Sequence, residues 1–135
     1  MRKTLSLLAI GALIATGGVA QAKPRTPDEQ LARITAGRTA GEPVDCIYLR
    51  DISSSEIIRD TAIVYRMNNG TIMVNRPASG ATFLDRDDVM VTDTRSPQLC
   101  SIDVVRLMDS GSRMPTGSVG LGKFTPYPRP ARAAK

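Results

Sequence analysis

The stretch Ala62-Ile63-Val64-Tyr65-Arg66-Met67-Asn68-Asn69-Gly70-Thr71-Ile72-Met73-Val74-Asn75-Arg76 decides the fold. Two apolar runs with period-two character flank Asn69-Gly70, the strongest short-range signal for a two-residue hairpin turn of the primed type. That turn predicts Met67 opposite Ile72, Tyr65 opposite Val74 and Ile63 opposite Arg76. One face then carries Ile63, Tyr65, Met67, Ile72 and Val74. The other face, with Ala62, Val64, Arg66, Met73 and Asn75, is mixed.

Working outward, further strands are expected at Ile47–Ile52, Glu56–Arg59, Val89–Thr92, Asp103–Met108 and Val119–Phe124. Turn-rich stretches separate them: Pro77-Ala78-Ser79-Gly80, Arg95-Ser96-Pro97 and Asp109-Ser110-Gly111. Upstream, Thr26-Pro27-Asp28-Glu29 holds a capping box with proline at the first helical position. Leu31 and Ile34 share one face of that short helix, and Gly37 ends it. So short a helix must dock or fray. Downstream, Pro126, Pro128 and Pro130 mark an extended or disordered tail. These elements predict a mainly β fold, a small antiparallel barrel or roll of about five to seven short strands with a short N-terminal helix. They divide the chain into residues 23–45 (helix and linker), 46–126 (β domain) and 127–135 (basic, proline-rich tail).

Residues 1–22 read as a cleavable export signal. Arg2 and Lys3 are followed by an apolar run from Leu5 to Ala15, and Ala20-Gln21-Ala22 supplies a small-residue cleavage site before Lys23. The run is too short to span a bilayer and no second one follows, so the chain is not expected to be transmembrane. Export places Cys46 and Cys100 in an oxidising compartment, where an isolated pair is most simply a disulfide. A redox pair would need a C-x-x-C spacing, and a thiolate nucleophile a histidine partner. The bridge would close a loop of roughly 55 residues, which chain entropy credits with about 4 kcal/mol.

Removing Arg2 and Lys3 lowers the net charge from +5 to +3. Cations and carboxylates balance from Lys23 to Asp45 and again from Cys46 to Pro126, so Arg129, Arg132 and Lys135 hold the surplus. A nucleic-acid binder would carry its basic residues as a patch on the folded body. The charge count therefore points away from nucleic acid.

The chain has no histidine. That removes the usual neutral-pH base, the Ser-His-Asp and Cys-His arrangements and the commonest transition-metal ligand. No catalytic residue, cofactor or zinc site is expected. Asp85, Asp87 and Asp88, with Asp93 beyond, form the one acidic cluster, a candidate for weak Ca²⁺ or Mg²⁺ binding or for a carboxylate acid–base pair. It lacks the glycine and distant glutamate of an EF-hand loop, and Asp before a strand is also an ordinary turn residue. Ser53-Ser54-Ser55 lacks a nucleophile elbow and reads as a polar turn or strand edge. Asn69-Gly70-Thr71 matches a glycosylation sequon that the turn already explains. Asp103, close to Cys100, is placed to position the cysteine turn. The five aromatic residues include no tryptophan, which offers little for sugar stacking.

Four blocks carry a family resemblance: Cys46-Ile47-Tyr48-Leu49-Arg50-Asp51-Ile52, Val74-Asn75-Arg76-Pro77, Leu99-Cys100-Ser101-Ile102-Asp103 and Leu121-Gly122-Lys123-Phe124-Thr125-Pro126-Tyr127. In this order the chain resembles a family of small exported proteobacterial proteins of unknown function, over about Gly41 to Tyr127. Some relatives carry a second cysteine pair, at positions matching Ala81 and Val119. The resemblance implies a structural disulfide and an exported address, and no activity or ligand. The resulting expectation is an exported, non-enzymatic β module of the bacterial periplasm, acting on an unknown envelope protein or surface. The alternative is a carboxylate-based enzyme or a Ca²⁺- or Mg²⁺-dependent factor using Asp85 to Asp88.

Overall fold

The computed structural model describes Gly18 and residues 21–132; the expected leader, apart from Gly18, Gln21 and Ala22, lies outside them, as does Lys135. Chain order runs α1 (Pro27–Ile34), β1 (Cys46–Tyr48), β2 (Ile52–Ile58), β3 (Ala62–Met67), β4 (Ile72–Asn75), β5 (Asp88–Thr92), β6 (Gln98–Cys100), β7 (Val104–Asp109), β8 (Pro115–Gly120) and β9 (Phe124–Tyr127). Short 3₁₀ turns occupy Leu49–Asp51 and Ala81–Phe83. All pairing is antiparallel. Among the described residues the strands form a four-stranded sheet (β2-β3-β4-β9), a three-stranded sheet (β5-β7-β8) and a ribbon (β1-β6), with no closed barrel.

The hairpin is present, but its register differs by one residue from the expected one. Val64 faces Val74 and Tyr65 faces Met73. The loop has three residues, Asn68-Asn69-Gly70. The Met67 N–H donates to Thr71 O at 2.9 Å, and the Gly70 N–H donates to Met67 O at 2.9 Å. Gly70 takes a φ of 85° while Asn69 does not enter the left-handed region. This is the arrangement in which a tight turn is followed by a left-handed glycine that forms a bulge. The Asn69 carboxamide secures it by accepting the Thr71 N–H at 2.9 Å.

The one-residue shift sends the β4 side chains to opposite faces. Ile72 and Val74 join Ile58, Ala62 and Val64 beneath the helix, where Leu31 and Ile34 cover them. Ile63, Tyr65 and Met67 instead meet Val105, Leu107 and Val119 of the three-stranded sheet, with Ile47 and Leu99 of the ribbon and Phe124 completing this core. The Tyr65 and Phe124 rings lie 5.8 Å apart in a tilted arrangement. Helix, sheet, core and second sheet are thus layered, and the central strand β3 is buried on both faces over most of its length, whereas Ser53 to Glu56 of the edge strand β2 are exposed. The expected helix therefore docks, its capping box intact: Glu29 N–H donates to Thr26 Oγ1 at 3.3 Å and Thr26 N–H to Glu29 Oε2 at 2.9 Å.

Other boundaries also moved. Ile47–Ile52 divides into β1 and a 3₁₀ turn, and Glu56–Arg59 is the end of a longer β2 that includes Ser53 to Ser55. Val119–Phe124 contains the end of β8, a connection and the start of β9. Among the described residues nine strands replace the expected five to seven. Pro126 and Tyr127 lie in β9 rather than in an extended tail. Proline is tolerated there for a geometric reason. Phe124 exchanges both backbone bonds with Val44, so the nitrogen of Pro126, two residues on, also faces away from β4. Among the described residues no helix is long and apolar enough to cross a membrane.

Candidate functional site

Cys46 and Cys100 sit directly opposite each other in the ribbon and are joined by a disulfide, with an S–S distance of 2.08 Å. The turn after Cys100 is shaped by Asp103, whose carboxylate accepts the Cys100 N–H at 2.7 Å. Asp103 thus occupies the positioning role its spacing implied. With both sulfurs covalently occupied, neither cysteine offers a thiolate for nucleophilic attack or metal binding.

The acidic cluster lines an open cleft of about 560 Å³ beside the 3₁₀ turn Ala81–Phe83. Asp85, Asp87 and Asp88 reach it from the turn leading into β5, Asp60 from the β2–β3 loop and Asp109 from the end of β7. Asp93 does not line it. Several of these groups are already engaged. Asp85 accepts the Asp87 N–H at 3.2 Å and pairs with Arg59 at 3.2 Å. Asp88 accepts the Thr116 hydroxyl at 2.6 Å, and Asp109 Oδ1 accepts the Ser112 N–H at 2.6 Å. The Asp87 N–H, more than the Arg59 charge, holds the Asp85 carboxyl below its ordinary value, and the Ser112 N–H does the same for Asp109. Among the described residues, no three acidic or sulfur-bearing side chains converge in a geometry that could hold a metal ion.

Ser53, Ser54 and Ser55 are exposed on β2, an edge of the four-stranded sheet, and Ser53 Oγ donates to Arg66 O at 2.9 Å across a bulge. They form a polar strand edge, and the nearest carboxylate in sequence, Glu56, is paired with Arg66 at 3.1 Å. The Asn69-Gly70-Thr71 sequon spans the last two residues of the hairpin loop and Thr71, the residue that follows them.

The four sequence blocks meet in pairs. The first and third are joined by the disulfide. The second and fourth are joined by Asn75, the one fully buried polar side chain among the described residues. Its amide donates to Gly122 O at 2.6 Å and its carbonyl accepts the Gly122 N–H at 3.0 Å. A side chain at Gly122 would collide with the carbonyl oxygen of Arg76, so glycine is required there. Sequence reasoning assigned Asn75 no role; the signal was an amide preceding Arg-Pro at the end of an apolar strand. Ser79 bridges Gly120, and the turn holding Ala81 packs on β8, the strand that holds Val119. No family model matches the chain, and neither a curated protein nor a solved structure matches it.

The linear charge balance is not a spatial one. Lys23, Arg25, Arg33, Arg59, Arg66 and Arg86 line one groove against the single carboxylate of Glu56. The basic residues therefore do form a patch on the folded body, contrary to the expectation drawn from counting along the chain. Arg129, at the start of the tail, packs against Gly70, close to where Arg38 donates to Gly70 O at 2.8 Å and to Tyr127 O at 3.1 Å.

Proposed function

We propose that this chain is an exported, non-enzymatic binding or accessory module of the bacterial periplasm. The Cys46–Cys100 disulfide carries the reading, because such bridges persist in oxidising compartments and are rare in reducing ones. The leader-like residues 1–22 and the family resemblance support the same address. The lack of histidine and the engagement of the acidic and serine candidates in turns and strand edges support a role in binding rather than catalysis. Its partner is an envelope component. Crosslinking in intact cells tests this: the protein should be captured with a periplasmic or membrane-associated component. Recovery solely with cytoplasmic proteins would reject it.

The acidic cleft keeps a second reading in view, a Ca²⁺- or Mg²⁺-dependent factor built on Asp85, Asp87 and Asp88. Five carboxylates lining one cleft favour it; their existing hydrogen bonds, the Arg59 pair and the lack, among the described residues, of three converging ligands weigh against it. A Ca²⁺ titration followed by melting temperature separates the two, and a saturable rise would favour the cation-dependent factor.

A further inference from the structure

We propose that the groove between the β2–β3 hairpin and the segment formed by α1 with the residues just before it is a binding site for a small ligand carrying several phosphate groups. The proposal deepens the reading of this chain as a binding module by naming a site and a ligand class. Four separate segments bring the six cations together: Lys23 and Arg25 before the helix, Arg33 on it, Arg59 and Arg66 from the hairpin, and Arg86 from the turn before β5. Arg66 is paired with Glu56 at 3.1 Å and Arg59 with Asp85 at 3.2 Å. Lys23, Arg25, Arg33 and Arg86 have no carboxylate within ion-pair distance among the described residues.

Unpaired like charges held on separate segments repel one another, and a polyvalent anion relieves that repulsion. Five of the six are arginines, whose planar guanidinium groups match the oxygen pairs of phosphate. The groove, about 840 Å³, is of a size that small ligands fill. Its walls include Pro27 and Ile34 but no aromatic side chain, so stacking platforms for nucleic-acid bases are missing. The adjoining acidic cleft, across the Arg59–Asp85 pair, repels anions and confines the ligand to the groove. The same chemistry is presented by a free polyphosphate or by the phosphorylated headgroup of a lipid.

The test is calorimetric titration of the purified protein with inorganic tripolyphosphate at low and physiological salt. Saturable binding that weakens with salt is expected, and Arg33→Glu combined with Arg86→Glu should reduce affinity about tenfold or more. Neither residue has an ion-pair partner, so the double variant should melt like the parent. Arg106→Glu with Arg113→Glu, on the three-stranded sheet and its β7–β8 loop, should bind as the parent does. Co-sedimentation with phosphatidic acid vesicles distinguishes the sources: pelleting that tripolyphosphate displaces assigns a lipid headgroup, and tripolyphosphate binding without pelleting assigns a free ligand. The proposal is overturned by absent saturable binding, by equal losses in both double variants, by citrate binding as tightly, or by an oligonucleotide competing more strongly. If binding is absent while crosslinking still captures an envelope component, the groove assignment alone fails.

Discussion

In the four-stranded sheet, β3 buries Ala62, Ile63, Val64, Tyr65 and Met67, whereas β7 in the three-stranded sheet alternates, burying Val105 and Leu107 and exposing Val104 and Arg106. The helix makes the difference: it covers Ile58, Ala62, Val64, Ile72 and Val74 on the outer face of the first sheet, and among the described residues no helix covers the second. A strand that is wet on one face has its register written in its pattern, because a one-residue slip would bury its polar side chains. A strand that is dry on both faces does not, and its register must come from the loop. The Asn68-Asn69-Gly70 loop supplies it here.

The comparison breaks most severely under a matched substitution. Val64→Asp places an unpaired carboxylate among Leu31, Ile58 and Val74 and should cost about 4 kcal/mol or more. Val104→Asp, on a residue 56% exposed, should stay within about 0.5 kcal/mol. Urea midpoints measure both. Equal losses would mean that the helix does not seal the outer face.

A second pair contrasts side-chain hydrogen bonds. Asn75→Ala leaves the backbone groups of Gly122 without their partners and should cost about 3 kcal/mol. Thr116→Ala removes an exposed bond to Asp88 and should cost about 0.5 kcal/mol or less.

The loops give a third pair. Gly70→Val forces a β-branched residue to a positive φ against Arg129 and should cost about 2 kcal/mol. Gly111→Val, in the β7–β8 loop, meets nothing nearer than Asp109 Oδ1 at 3.5 Å and should change stability by about 0.5 kcal/mol or less. Thermal melts at matched concentration would distinguish them.

The smallest effect is electrostatic. Asp85 and Asp109 titrate below the ordinary value of 3.8 when folded, so each adds stability above that pH and loses it as pH falls through its folded pKa. Arg59→Ala should raise the Asp85 pKa only part of the way, since the Asp87 N–H remains, and should leave Asp109 unchanged. Carboxyl resonances followed by NMR across the acid range would show this.

Much of the architecture was legible in the chain. The capping box of Thr26 and Glu29, the hairpin and the pairing of Cys46 with Cys100 each rest on local chemistry or compartment. The register was not legible, because Ile72 and Val74 are equally apolar against either face. Strand β6 was hidden by Pro97 just before it, and β9 by Pro126 within it, both of which read as breaks. The acidic cleft was half legible: Asp85, Asp87 and Asp88 are adjacent in sequence, but Asp60 and Asp109 reach them only through the fold. The basic groove was invisible to a count along the chain, since its cations come from separate segments and the carboxylates near Arg33 and Arg86 in sequence, Asp28, Glu29, Asp85 and Asp87, do not line it.

The central claim is an exported module closed by one disulfide, and intact-mass spectrometry of the protein recovered unreduced from its native envelope tests it most directly. The account predicts a chain beginning at Lys23, lacking the two thiol hydrogens, with a peptide map linking Cys46 to Cys100. A chain still beginning at Met1, with both cysteines open to alkylation, would contradict it.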